Sequence, residues 1–197
     1  MEGVKFEKVS RFADTDIVMP VRSTELSAGY DFVVVEDIIL KPYEFLANTL
    51  REHVMGERPK MDYWGFDPPY TLDDIATLNK QLKTKLPLVT TGMKCKLHKE
   101  LYLELVIRSS TPLKHWIMLA NGVGVIDADY YNNPNNEGEI YFQLLNLAPF
   151  AIQLKKGDII GQGIIHHYET TEDDEAKGKR VGGFGSTDQY APQESMT

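Results

Sequence analysis

The sequence predicts an all-β domain of the barrel or double-sheet jelly-roll kind, from three observations. Short apolar runs rich in Val, Ile, Leu, Phe and Tyr recur along most of the 197 residues. Turn clusters ("AGYD", "TTG", "NNPNN", "LAPF" and "KKGD") separate these runs. Helical periodicity is confined to one stretch, and many short strands with little helix are the pattern of such folds.

In chain order the predicted strands occupy residues 4–11, 30–35, 38–40, 88–96, 101–107, 122–128, 138–146, 151–154 and 159–167. Residues 44–85 differ in character. "TLDDIATLNKQL" sets Leu72, Ile75, Leu78 and Leu82 at helical spacing, with Thr71 as N-cap and Asp73 and Asp74 in the first turn. The aromatic, proline-rich "PKMDYWGFDPPY" before it reads as an ordered loop whose Tyr63, Trp64, Phe66 and Tyr70 pack locally. The region is therefore a partly helical insertion. From Glu169 onward the chain is polar, charged and glycine-rich without periodicity, the composition of a flexible arm. The expected division is a β domain over 1–168 and a C-terminal arm over 169–197.

The net charge of −8 argues against a general binder of nucleic-acid backbones, which carries a basic stripe. It leaves room for a small anion, because a few cations and backbone N–H groups hold phosphate on an acidic protein. The single cysteine, Cys95, forms neither an internal disulfide nor a thiolate metal site, and fits a reducing compartment. The N-terminus lacks the apolar core of a secretion signal. No apolar run approaches the ~20 residues that span a bilayer. A soluble, cytoplasmic protein without membrane or nucleic-acid partners is expected.

Five stretches carry polar chemistry. The hairpin "GVGVIDADYYNNPNNEGEIYFQLLN" sets Asp127 and Asp129 two apart before its turn; they are either solvated turn acids or include a base held over a pocket. "VGGFGSTD" surrounds Phe184 with glycines able to wrap N–H groups round an anion, with Lys179 and Arg180 just upstream. It is either such a cradle or a plain flexible tail. In "VIRSSTPLKHW" the cation Arg108 and the hydroxyls of Ser109 and Ser110 either grip phosphate oxygens or form a capped turn. Asp31 in "ELSAGYDF" follows a glycine turn, and Gln162 in "KKGDIIGQG" lies within a strand, facing either solvent or a ligand. His166 and His167 are adjacent in a strand, so they point to opposite faces and do not chelate one ion.

Taken in order, "SAGYDF", "RSS", "NGVGVIDADY…GEI", "GDIIGQ" and "GGFGST" resemble the five-motif series of the homotrimeric dUTP pyrophosphatase (dUTPase) family, from about Pro20 to Thr187. The resemblance implies a jelly-roll β-barrel, a homotrimer with shared active sites, and hydrolysis of dUTP to dUMP and pyrophosphate, which limits uracil in DNA. It implies that Asp127 activates the water attacking the α-phosphorus and that Tyr130 packs on the sugar. Asn121 and the backbone from Gly122 through Val125 to Ile126 match the part that reads uracil. Arg108, Ser109, Ser110 and Gln162 match phosphate contacts. Asp31 matches the acid that holds the waters of a Mg²⁺ chelated by the triphosphate. Phe184 matches the ring that stacks over uracil, with Gly185, Ser186 and Thr187 at the γ-phosphate.

The chain departs from the family pattern at four places. Lys179 stands where the family has Arg, with Arg180 next, so both are candidates for the γ-phosphate. Ser110 replaces a Gly, Asp188 stands where Gly is frequent, and "YNNPNNE" lengthens the hairpin tip and makes Tyr131 a rival of Tyr130. The same fold has a dCTP deaminase branch, which shares "RSS". It uses a Glu where this chain has Gln143, and an Arg where it has Thr111, Pro112 and Leu113. The other alternative is a nucleotide-switched regulator that binds a protein through the 44–85 insertion.

Overall fold

The sequence "LYLELV" alternates apolar and polar residues, and it forms β7 (Leu101–Val106), which buries Leu101, Leu103 and Leu105 and turns Tyr102, Glu104 and Val106 outward. The computed structural model describes residues 3–57, 72–82 and 86–183. Around β7 lie β1 (Lys5–Lys8), β2 (Val21–Arg22), β3 (Tyr30–Val33), β4 (Ile38–Leu40), β5 (Leu88–Thr90) and β6 (Met93–Lys96). After it come β8 (Ile117–Leu119), β9 (Gly124–Asp127), β10 (Tyr141–Asn146), β11 (Ile152–Leu154) and β12 (Ile159–His167). The helices are α1 (Tyr43–Glu57), α2 (Leu72–Leu82) and α3 (Ser110–His115).

The largest sheet has the order β2-β3-β12-β7-β9; β5-β10-β8, β1-β6 and β11-β4 form three smaller ones. Every ladder among these strands is antiparallel. All four sheets feed one core: Phe32 and Leu103 from the largest, Val89 and Phe142 from the second, Met93 and Cys95 from the third, Leu40 and Leu154 from the fourth. This is the predicted jelly-roll arrangement, although no continuous closed ladder joins the sheets among the described residues.

Phe32 and Phe142 stand at its centre, 1% and 0% exposed with ring centroids 5.7 Å apart. Each such side chain contributes roughly 1.5–3 kcal/mol by burial. Gly161 is a glycine because a Cβ there would strike the Phe142 ring. Burial also pushes the Cys95 thiol up to about 12, which makes it an inert core residue.

Four local features differ from the sequence pattern. The stretch 122–146 is not a hairpin: β9 pairs with β7 and β10 with β5 and β8, because the 3-10 turn over Ala128–Tyr130 ends β9 and the chain crosses from one sheet to another. The predicted strand 88–96 is two strands, broken at Gly92, whose φ of +65° leaves the β region. The stretch "STPLKH" forms α3, ended by Trp116 in the left-handed region, and β8 follows it; neither element was expected. The strand expected over 4–11 stops at Lys8, and Ser10–Phe12 forms a 3-10 turn. The insertion is helical in α1 and α2, which contact each other. Its aromatics Tyr63, Trp64, Phe66 and Tyr70 and the Thr71 cap lie outside the described residues. No helix among the described residues is long and apolar enough to cross a membrane.

Candidate active site

Strand β9 begins at a turn made by Gly122, whose φ of +73° lies in the left-handed region that favours glycine. The Gly122 N–H donates to the Leu119 carbonyl at 3.1 Å and the Val123 N–H to the Asn121 carbonyl at 2.8 Å. The turn presents Asn121 and β9 beside a pocket of about 180 Å³. Gly124, Val125 and Ile126 line it together with Leu105 of β7, Tyr141 of β10 and Tyr130. Arg180 and Gly183, from the start of the C-terminal arm, complete the lining. Gly183 must be glycine, because a Cβ there would lie 2.7 Å from the Tyr130 ring.

Asp127 is the last residue of β9, and a 3-10 turn over Ala128–Tyr130 follows at once. Alternation therefore stops at Asp127; what unites Asp127 and Asp129 is a shared cation. Arg180 ion-pairs with Asp127 through one terminal nitrogen and donates from Nε to Asp129 Oδ1 at 2.7 Å. Its guanidinium carbon stands 6.0 Å from the centroid of the Tyr130 ring. Partial burial raises the Asp127 carboxyl above its ordinary range; Arg180 opposes this and the Asp129 charge adds to it.

The two rival tyrosines separate. Tyr130 is buried and lines the pocket, whereas the Tyr131 hydroxyl donates to Glu7 at 2.6 Å. Lys179 is exposed, and of the two rival cations only Arg180 reaches the carboxylates. Phe184, Gly185, Ser186 and Thr187 lie outside the described residues.

A second cluster forms across β3, β12 and the end of β7. Asp31 is paired in register with Gln162, and Gln162 with Val106. Arg108 Nε stands 3.6 Å from Asp31 Oδ1, and the Ser23 hydroxyl donates to Asp31 Oδ2 at 2.5 Å. The Gln162 side chain lies over Gly29 so closely that no Cβ fits there. Ser109 caps α3 through its backbone alone, leaving its hydroxyl uncommitted to the cap, and Ser110 opens the helix. Among the described residues no three His, Cys, Asp or Glu side chains converge as a metal cage. Asp31 is a lone carboxylate with a neighbouring cation, which suits a Mg²⁺ that keeps its own waters.

One chain does not bring the two clusters together. Asp127 is level with Tyr102 on β7, and Gln162 with Val106, four residues further along. Asp31 on β3 and Asp127 on β9 are three strand spacings apart. With about 4.8 Å between strands and about 3.3 Å per residue, the separation is about 20 Å.

Tyr141, Glu139 and Leu105 were absent from the sequence reading of the site. Tyr141 was within reach, because it lies between buried Ile140 and Phe142 and must face away from the core. Glu139 was not: in "NEGEI" it looks like a turn acid, yet it is 3% exposed.

A jelly roll with a carboxylate at the edge of a pocket, and a cation–hydroxyl cluster elsewhere on the same sheet, combines a base with groups that hold an anion. The comparisons narrow that chemistry. A dUTPase family profile matches residues 75–188. Deoxyuridine 5'-triphosphate nucleotidohydrolase of Lactococcus lactis is 32% identical over 184 residues, covering 92% of this chain and 95% of its own. A crystal structure of dUTPase from Streptococcus mutans is 29% identical with a TM-score of 0.61, over 85% of this chain and 98% of that one. The dUTPase of Staphylococcus aureus phage phi11, described with a structural Mg(II) ion, shares the fold at 15% identity and a TM-score of 0.54, over 90% of this chain and 98% of that one. The chain belongs to the dUTPase family.

Proposed function

We propose that the protein hydrolyses dUTP to dUMP and pyrophosphate, with Asp127 as the general base. The observation that carries this reading is the position of Asp127: it ends the strand that lines the pocket and stands beside Tyr130 and Arg180. In the proposed reaction uracil occupies the β9 pocket against Asn121 and the Gly122–Ile126 backbone, with Tyr130 on the sugar. Asp127 takes a proton from a water as its oxygen bonds to the α-phosphorus; the bond from that phosphorus to the bridging oxygen breaks, and pyrophosphate leaves. Positioning and charge neutralisation account for most of such catalysis.

Arg180 has two carboxylate partners to exchange for phosphate oxygens when a triphosphate arrives, which would free Asp127. Arg108, Ser109, Ser110 and Gln162 hold phosphate oxygens, and Asp31 holds the waters of a Mg²⁺ that neutralises the triphosphate. The arm from Lys179 through Phe184, Gly185, Ser186 and Thr187 closes over the bound nucleotide. The 20 Å gap between the clusters favours a homotrimer in which the Asp127 pocket of one chain faces the Asp31–Arg108–Gln162 cluster of another.

The test is pyrophosphate release from dUTP, dCTP, dTTP and UTP side by side, with and without Mg²⁺. Magnesium-dependent release from dUTP alone is expected; equal release from dTTP or UTP overturns the assignment. Ammonia from dCTP would revive the deaminase alternative. A protein-binding role for the 44–85 insertion is a second reading, favoured by exposed Phe45 on α1 and Ile75 on α2. Deleting the insertion separates the two, since the partner contact should go while turnover stays.

A further inference from the structure

Both tyrosines that line the β9 pocket have turned their hydroxyls away from it, and onto the same residue. The Tyr130 hydroxyl donates to the backbone carbonyl of Glu139 at 3.0 Å. The Tyr141 hydroxyl donates to Glu139 Oε2 at 2.6 Å. A phenol has one proton to donate, so neither ring has a donor left for a ligand.

Glu139 is itself fixed. Its other carboxylate oxygen takes Arg11 at 2.7 Å and the Thr90 hydroxyl, in a setting where the side chain is 3% exposed. The tip of the loop between β9 and β10 holds the remaining side of Tyr130. Asn133 Oδ1 accepts the N–H groups of Asn135 and Asn136 at 3.0 and 3.2 Å, which orients its amide. Asn133 Nδ2 then donates to the Tyr130 carbonyl at 2.9 Å and to Asn136 Oδ1 at 2.7 Å. Asn136 Oδ1 also accepts the Gly138 N–H at 3.1 Å, so its Nδ2 is the atom 2.7 Å from the Tyr130 hydroxyl. The tip is not an appendage beyond the pocket but a clamp on Tyr130.

We infer that Glu139, by holding both phenol groups away from the pocket, is the positioning residue that makes this site reject a ribose 2′-hydroxyl. This rests on the proposed dUTP reading, in which Tyr130 faces the sugar. A hydroxyl entering between two rings with no free donor loses water that neither phenol replaces. A wall that gives an added hydroxyl no hydrogen bond rejects it by about 10²-fold, and rigid rings add steric exclusion. Releasing either phenol would give the 2′-hydroxyl a donor and let the ring yield.

The experiment compares kcat/KM for dUTP and UTP in the wild-type protein and in Glu139→Gln, with folding checked by thermal melting. Glu139→Gln should raise kcat/KM for UTP and shrink the dUTP-to-UTP ratio by about tenfold or more, within the ~10² that such a pocket supplies. A merely structural role lowers both substrates together and leaves the ratio where it was, which would overturn the inference. Should Glu139→Gln fail to fold, Asn136→Ala at the half-buried tip removes one of the two hydrogen bonds that hold the Tyr130 hydroxyl and lets that ring yield; a several-fold fall in the ratio supports the inference and an unchanged ratio refutes it. A wild-type protein that ignores dUTP would remove the functional reading itself, and this inference with it.

Discussion

Asp127 is half-exposed, and burial and Arg180 pull its ionisation in opposite directions. Desolvation wins, so its carboxyl titrates above the ordinary value of about 3.9. Over the window between those two values the native chain keeps a proton that the unfolded chain has released. Stability from this group is therefore lost as pH rises through the window. Two outcomes follow. The acid limb of kcat/KM should lie above the ordinary carboxylate range, in a pH–rate profile with dUTP. Asp127→Asn should lower kcat by about 10²–10⁴-fold, while calorimetry with a non-hydrolysable dUTP analogue still shows binding. Its melting temperature should be no lower than wild type, since a penalised charge has gone. Before the resemblance, the sequence presented Asp127 and Asp129 as equals. Chain order could not show that Arg180, fifty residues away, would bridge both carboxylates; that contact depends on where the arm lies.

At the scale of elements, the loop between β9 and β10 and the arm set the pocket. Gly138, with φ of +79°, passes so close to Tyr130 that a Cβ would stand 2.5 Å from the Tyr130 carbonyl. Gly138→Ala should cost about 1–3 kcal/mol, read as a lower melting temperature, with dUTP affinity falling because Tyr130 shifts. Truncation before Lys179 removes Arg180 and Gly183 from the pocket; turnover should collapse while the melting temperature stays within a few degrees. An unfolded truncation would make the arm a structural element instead. The strands were the most legible part, because period-2 alternation such as that of 101–107 is a direct consequence of a one-faced core. The turn signal "TTG" marks the break at Gly92, although the strand expected over 88–96 runs through it. The α3–β8 unit carries no such signal, because the fate of "STPLKHW" depends on Trp116 adopting a left-handed φ of 55°.

For the whole molecule, the decisive geometry is the distance between two clusters that the sequence lists as one series. Motif order revealed the family but not the spacing, because β3 and β9 stand at opposite ends of four sheet strands and only the pairing order exposes that gap. The central claim is that Asp127 of one chain acts on a triphosphate gripped by Arg108 of another. Asp127→Asn and Arg108→Ala proteins, each inactive alone, should be unfolded together, refolded as mixed oligomers and assayed for pyrophosphate release from dUTP. The shared-site account predicts that the mixture recovers a substantial fraction of wild-type activity, since some sites draw an intact Asp127 and an intact Arg108 from different chains. A mixture as inactive as its two parents, with mixed oligomers shown to be present, would contradict it.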